Sequence, residues 1–237
     1  MKQFIRNHIL PLFPLAAGLV GLLLRVWLFS TIDEKGLLPA KHFADTTLYI
    51  LTVITLAGVF LLSRNQKPKP VCKSFSRLST VLGCLLGGIG MLLTGLRYQN
   101  TRFSGIAVVA CIAGGLMLLA MAVLKSFKKK IPFGFPAVLT VTFMLDTVAQ
   151  CQIWGAVSQL QEYFFPLMAS VFLILSAYHI TLGAAGTGKP NLLVFFTQSA
   201  IFFCCTCLNT NRWLLYLGLL FWITTTRSPV TPKQKEA

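Results

Sequence analysis

The chain has 237 residues, 55% of them hydrophobic and 11% charged, with a formal net charge of +15, 19 Phe and six acidic residues. Soluble domains carry about 25% charged residues, so too few polar side chains are present here to clothe a water-facing surface; a soluble globule, a disordered chain and a disulfide-stapled module are excluded together. What remains is an all-α, polytopic integral membrane helix bundle.

A spanning helix needs about 20 mostly apolar residues. Runs of this kind fall at roughly 9–30, 46–63, 79–97, 105–124, 137–159, 166–186, 191–208 and 213–226, which predicts eight transmembrane helices in a single transmembrane domain over 1–237 with no soluble domain. Lys2 and Arg6 precede the first run in the manner of a signal peptide, with Ala16-Ala17-Gly18 as a cleavage-like site. Apolar sequence nevertheless continues to Thr31, too long for a signal core, so an uncleaved first span is expected. The last two runs could be one helix from Asn191 to Thr226, but that helix would overshoot a bilayer, and Asn209, Thr210, Asn211 and Arg212 supply a break.

Lys and Arg set the orientation, because positive loops stay on the cytoplasmic side. With both termini cytoplasmic, fifteen of the 21 basic residues fall in inner segments, and Lys35, Lys41, Arg97, Arg102 and Arg212 are the outer ones. Seven spans would export the basic tail with Arg227, Lys233 and Lys235, so eight is the better count. Trp27, Tyr49, Tyr98, Tyr163 and Trp213 fall near the outer ends, as an aromatic belt requires. The positive charge is assigned to anionic lipid headgroups at the inner loops, not to nucleic acid. A bacterial cytoplasmic membrane is the expected location.

Several motifs read as decoys. Cys204, Cys205 and Cys207 could suit a soft metal, but thiols in an apolar helix behave as small hydrophobes, and no metal or cofactor is expected. Gly183, Gly188 and Lys189 resemble a phosphate loop until Pro190 stands where a hydroxyl should hold magnesium, so the segment reads as an inner turn. Gly83, Gly87, Gly88 and Gly90, and Ala110 with Gly114, give small-residue faces that permit close backbone approach, read as internal packing. Asp33, Glu34, His42 and Asp45 form an acidic outer loop, read as a solvated turn and not as a cation site.

Ionisable side chains inside hydrocarbon are costly and mark function by default. Arg25 stands about six residues from the outer end of its span, so its stem is expected to carry the guanidinium outward. Asp146 lies about nine residues into the fifth span, near 14 Å from the inner surface, and is too short to reach water. If the fifth and sixth spans turn at Gln161, Glu162 and Tyr163, His179 stands at the depth of Asp146, and Gln198 joins that layer from the seventh span. Thr142, Asp146 and Gln150 repeat at four-residue spacing, a polar stripe on one helix face. Asp146, His179, Gln198, Gln150, Thr142 and Arg25 are therefore the candidate substrate- or ion-binding residues. No catalytic residue is assigned.

The segment Leu24-Arg25-Val26-Trp27-Leu28, followed by Asp33-Glu34-Lys35-Gly36-Leu37-Leu38 and His42, resembles the opening of uncharacterised bacterial multi-span membrane proteins. The resemblance covers about the first fifth of the chain and implies a membrane bundle without implying a reaction. On the residues themselves, a small-solute transporter or permease subunit with a proton- or cation-linked polar site is expected to carry a small polar or cationic solute. A non-catalytic accessory or sensor subunit, working through a protein partner or a second copy of itself, is the alternative. A membrane-embedded lipid-modifying enzyme is the other alternative, but HExxH, GxSxG and a second intramembrane carboxylate are absent from the sequence.

Overall fold

The computed structural model describes residues 2–31, 42–64, 73–97, 104–129, 131–132, 134–154 and 160–225. Among them the chain forms eight helices and no strand: α1 (Lys2–Ser30), α2 (Phe43–Ser63), α3 (Lys73–Arg97), α4 (Ser104–Ser126), α5 (Gly134–Trp154), α6 (Leu160–Ala184), α7 (Pro190–Thr206) and α8 (Trp213–Thr225). The first six each contain a stretch long and apolar enough to cross a membrane, and α7 and α8 are shorter apolar helices. The bundle is that of a multi-pass membrane protein. Asp33, Glu34, Lys35, Lys41, Tyr98, Arg102, Arg227, Lys233 and Lys235, used above for orientation and for the outer loop, lie outside the described residues.

Helix ends follow local chemistry. His42 caps α2, its Nδ1 accepting the Ala44 N–H at 3.2 Å, so at least this member of the acidic outer cluster serves the backbone. Pro190 opens α7, where its missing N–H costs nothing. The turn before it needs Gly186, whose φ of 80° is in the left-handed region. The phosphate-loop look-alike is thus a helix–helix turn, anchored where Asn191 Nδ2 donates to Arg64 O at 3.1 Å. Inside the helices, buried Thr52, Thr94, Thr140, Thr147, Ser170, Ser176 and Thr197 donate to the carbonyl four residues back, which keeps their hydroxyls satisfied away from water.

Successive helices alternate in direction, and α7 runs parallel to α1, with Gly18 against Cys205 and Gly21 against Thr206. α7 is buried from Thr197 through Thr206. Phe165, Phe172, Phe195, Phe196 and Phe203 interlock between α6 and α7, Phe172 and Phe203 stacking at 5.0 Å. α8 lies antiparallel on α3 with the backbones nearly touching: a Cβ on Gly83 would strike Trp222 N, one on Gly90 Leu215 N, and one on Gly218 the backbone of Gly87. The small-residue faces of α3 and α4 are therefore spent within the bundle, Gly88 meeting Gly115 and Gly114 meeting Met91 and Thr142.

Expected spans and observed helices agree closely except between α5 and α6. Gln161, Glu162 and Tyr163, expected at the hairpin, lie in the first turn of α6, and α5 already ends at Trp154. Sequence periodicity ran the apolar stretch through Gly155 and Ala156 without a stop signal, which displaced the expected turn by about five residues.

Overpacking a tight contact costs about 1–3 kcal/mol, so Gly218→Ala is expected to lower the unfolding midpoint in detergent by several degrees. Gly105→Ala, where a Cβ meets nothing within 4 Å, is expected to leave the midpoint unchanged or raise it, since Ala exceeds Gly in helix propensity by about 1 kcal/mol. Thermal unfolding of both variants followed by circular dichroism checks the two signs together.

Candidate functional site

α7 has 17 residues between its caps, and α8 is described over 13. After Cys207 the turn between them alternates half-buried and exposed residues, Asn209 and Asn211 being exposed. Gly21 of α1 lies against Thr206, one helical turn before Arg25. Three arginines meet this turn. Arg25 Nη1 donates to Thr206 O at 3.4 Å and to Cys207 Sγ at 3.3 Å, placing a cation at the negative end of the α7 dipole. Its guanidinium also lies 5.3 Å from the Phe29 ring centre and 5.6 Å from that of Phe165. Arg97 donates to Asn211 O. Arg212 turns inward to α5.

That inward turn makes the site. Arg212 Nη1 donates to Asp146 Oδ2 at 2.8 Å and Nη2 to Oδ1 at 3.1 Å, a two-pronged ion pair. Gln150 Nε2, one helical turn along α5, donates to Oδ2 at 2.7 Å. The Cys111 thiol of α4 donates to Oδ1 at 3.5 Å. The Asp146 side chain is 5% exposed and that of Arg212 15%, so neither ion has the dilution by water that makes surface pairs weak. A small cavity of about 10 Å³ adjoins the pair, lined by Asp146, Thr147, Ser170, Arg212 and Tyr216 together with apolar Phe143, Leu173, Leu215 and Leu219; it has room for about one water molecule. The Tyr216 hydroxyl and Gln150 Oε1 are buried and meet no hydrogen-bond partner among the described residues.

Of the expected site residues, Asp146 and Gln150 come together. Thr142, lower on the same stripe, donates to Leu139 O and packs beside Gly114. His179 does not reach Asp146: its ring stacks on Phe196 at 4.9 Å and meets Tyr178 edge-on. The early end of α5 explains this, because a hairpin centred near 157 brings Asp146 level with the residues around Ser170, and Ser170 is indeed the α6 polar residue at the cavity. His179 is nine residues further along α6, about 13 Å. Gln198 is buried in α7, away from the cavity lining. Arg25 corrects a second expectation: it is 3% exposed and points into the bundle, because unsatisfied carbonyls at the α7 terminus lie nearer than water does.

Sequence reasoning missed Arg212, treated as a loop charge, and Tyr216, one helical turn beyond it. A signal was present: Arg212 stands in the short break between two apolar runs, where a charge lies close to membrane-embedded segments. The site is thus the charged heart of a multi-helix membrane bundle. Comparison of the chain with protein-family models, with curated proteins and with solved structures finds no match.

Breaking a buried pair by removing one partner costs about 3–5 kcal/mol, because the other charge is stranded. Asp146→Asn and Arg212→Gln are each expected to destabilise the protein on that scale, and the double variant by clearly less than their sum, with a coupling of about 1–3 kcal/mol in a double-mutant cycle. Strict additivity would show that the two charges do not act as a pair. Arg25→Lys keeps the charge but loses the flat, ring-stacking guanidinium, and is expected to lower the melting temperature in the same assay.

Proposed function

We propose that the protein is a small-solute carrier or permease subunit of a bacterial cytoplasmic membrane, with both termini cytoplasmic and its basic loops against anionic headgroups. The observation that carries the reading is the Asp146–Arg212 pair, buried at the wall of a cavity beside the break between α7 and α8. Carrier sites are commonly built where a helix breaks inside the membrane and presents polar groups to a solute. An ion pair at such a break is an electrostatic latch. Closed, it neutralises both charges; opened by a proton on Asp146, it releases Arg212 and allows α8 to move against α5.

The cavity, with room for about one water, suits a closed state of this cycle. Its size also favours a second reading, an accessory subunit in which the pair fixes the α7–α8 turn for a partner protein. The distance of His179 from Asp146 removes the acid–base couple on which a lipid-modifying enzyme would rest.

The test is reconstitution. Purified protein in liposomes containing a pH-sensitive dye is challenged with a panel of amino acids, amines, sugars and organic acids under an imposed proton gradient. At least one solute is expected to move with a proton, and Asp146→Asn is expected to abolish the proton flux. Failure of the whole panel, with a stoichiometric second protein co-purifying from native membranes, would replace the carrier with the accessory subunit.

A further inference from the structure

We infer that the solute is a small monovalent anion, a short-chain monocarboxylate, taken up together with one proton; the inference rests on the carrier reading above. An isolated carboxylate in a bilayer suggests a cationic solute, but Asp146 is not isolated. Its two oxygens take the Arg212 fork, the Gln150 amide and the Cys111 thiol. Among the described residues, the side-chain groups that bond this carboxylate are donors. A cationic solute would have to displace a guanidinium tethered to the bundle, and would then meet a ring of donors with the wrong polarity.

A carboxylate solute meets the opposite situation. If Asp146 takes a proton from the water on the side of entry, Arg212 is left with a planar fork shaped for a carboxylate, and the solute replaces the carboxylate that has just been neutralised. One proton and one monovalent anion enter together and leave together. The site charge is the same with both proton and anion bound as with neither; the proton alone would strand the Arg212 charge in a low-dielectric interior, which couples its arrival to that of the anion.

The cavity wall supplies the remaining recognition. Tyr216, 1% exposed, has a hydroxyl with no partner among the described residues, a donor available for a second carboxylate oxygen. The hydroxyls of Thr147 and Ser170 already donate to Phe143 O and Pro166 O, which leaves Tyr216 as the specific donor of the wall. Phe143, Leu173, Leu215 and Leu219 give a short alkyl chain an apolar surround. The groups facing Asp146 are Gln150 from its own helix, Cys111 from α4, Arg212 from the α7–α8 turn, Tyr216 from α8 and the non-titrating Ser170 from α6. Asp146 is the carboxylate among them, and the proton is assigned to it.

The experiment uses full-length protein in liposomes with radiolabelled lactate as the probe, spermidine and tetraethylammonium as cationic comparisons, and protein-free liposomes to subtract passive entry. An inward proton gradient is expected to drive lactate accumulation by the wild type and no accumulation of either cation. Asp146→Asn fixes the neutral state of the carboxyl: gradient-driven accumulation should be lost while lactate–lactate exchange persists. Arg212→Gln should lose both. Tyr216→Phe should raise the lactate KM about tenfold, the effect of one hydrogen bond of about 1.4 kcal/mol, with little change in kcat. The Asp146→Asn/Arg212→Gln double variant, which strands no charge, should remain monodisperse and helical yet transport nothing, separating loss of function from loss of fold.

Accumulation of a cation in place of lactate would overturn the anion inference and leave the carrier reading standing; proton-driven lactate accumulation by Asp146→Asn would overturn the assignment of the proton to Asp146, on which the exchange of one carboxylate for another rests. If no solute of the wider panel moves with folded wild-type protein, the carrier reading fails and the inference falls with it.

Discussion

The organising constraint of this molecule is a chain break between two apolar helices that arginines tie to the rest of the bundle. Backbone carbonyls at the end of a helix need donors, and inside a bilayer the solvent provides none. The turn between α7 and α8 takes donors from the protein. Arg25 and Arg97 donate to carbonyls of Thr206 and Asn211, and Arg212 bonds Asp146. Three residues that hydropathy alone would mark as unfavourable for insertion become the means by which an irregular segment is held in place. The Asp146 carboxylate and the turn explain each other: a charged acid needs a fixed cation there, and the cation needs a turn to carry it in.

What holds the turn in register is close packing and not polarity. Gly83 and Gly90 on α3 face Trp222 and Leu215 on α8, and Gly218 on α8 faces Gly87, at distances that a Cβ on Gly83, Gly90 or Gly218 would not permit. Between helices already surrounded by lipid there is no hydrophobic drive to associate, so van der Waals contact of this kind supplies much of the adhesion. A rigid α3–α8 pair fixes the height of Trp213, and with it the heights of Arg212 and Tyr216. The glycine face and the ion pair are therefore parts of one device, and a change at Gly218 bears on the geometry at Asp146 three helices away in sequence.

Most of the architecture could be read from the chain because a bilayer leaves few choices. Length and apolarity fix helix positions, and Gly186 with Pro190, or Asn209 through Arg212, punctuate them strongly. The α5–α6 connection resisted because Gly155, Ala156 and Val157 prolong the apolar run and the more strongly polar Gln161 and Glu162 attract the expected turn, and a shift of five residues in a hairpin moves the facing register by ten. That single displacement accounts for the expectation that His179 stands at the depth of Asp146. The stripe Asp146 and Gln150 was legible because four-residue spacing is local, whereas Arg212, 66 residues away in sequence, joins it only through the fold. Arg25 shows the same limit in another form: snorkelling is a choice between water and protein, and the attraction of the α7 terminus is invisible until α1 is known to lie beside it.

A purely structural role leaves the chemistry of the pair unexplained. Buried ion pairs are weak contributors to stability, and apolar residues of similar volume often hold helices together as well or better. Leucines at 146 and 212 would join α5 to the turn without desolvating two charges. What they could not provide is a second state. An Asp–Arg contact has two defined conditions, joined when the carboxyl is ionised and parted when it is protonated, and the switch between them is set by a proton whose availability differs across an energised membrane. The orphan hydroxyl of Tyr216 points the same way, since a buried donor left without an acceptor is a cost in the joined state that the parted state, with a ligand on Arg212, would relieve. A site built from unspent donors around a carboxylate that can be neutralised is arranged to receive a second carboxylate in place of the first.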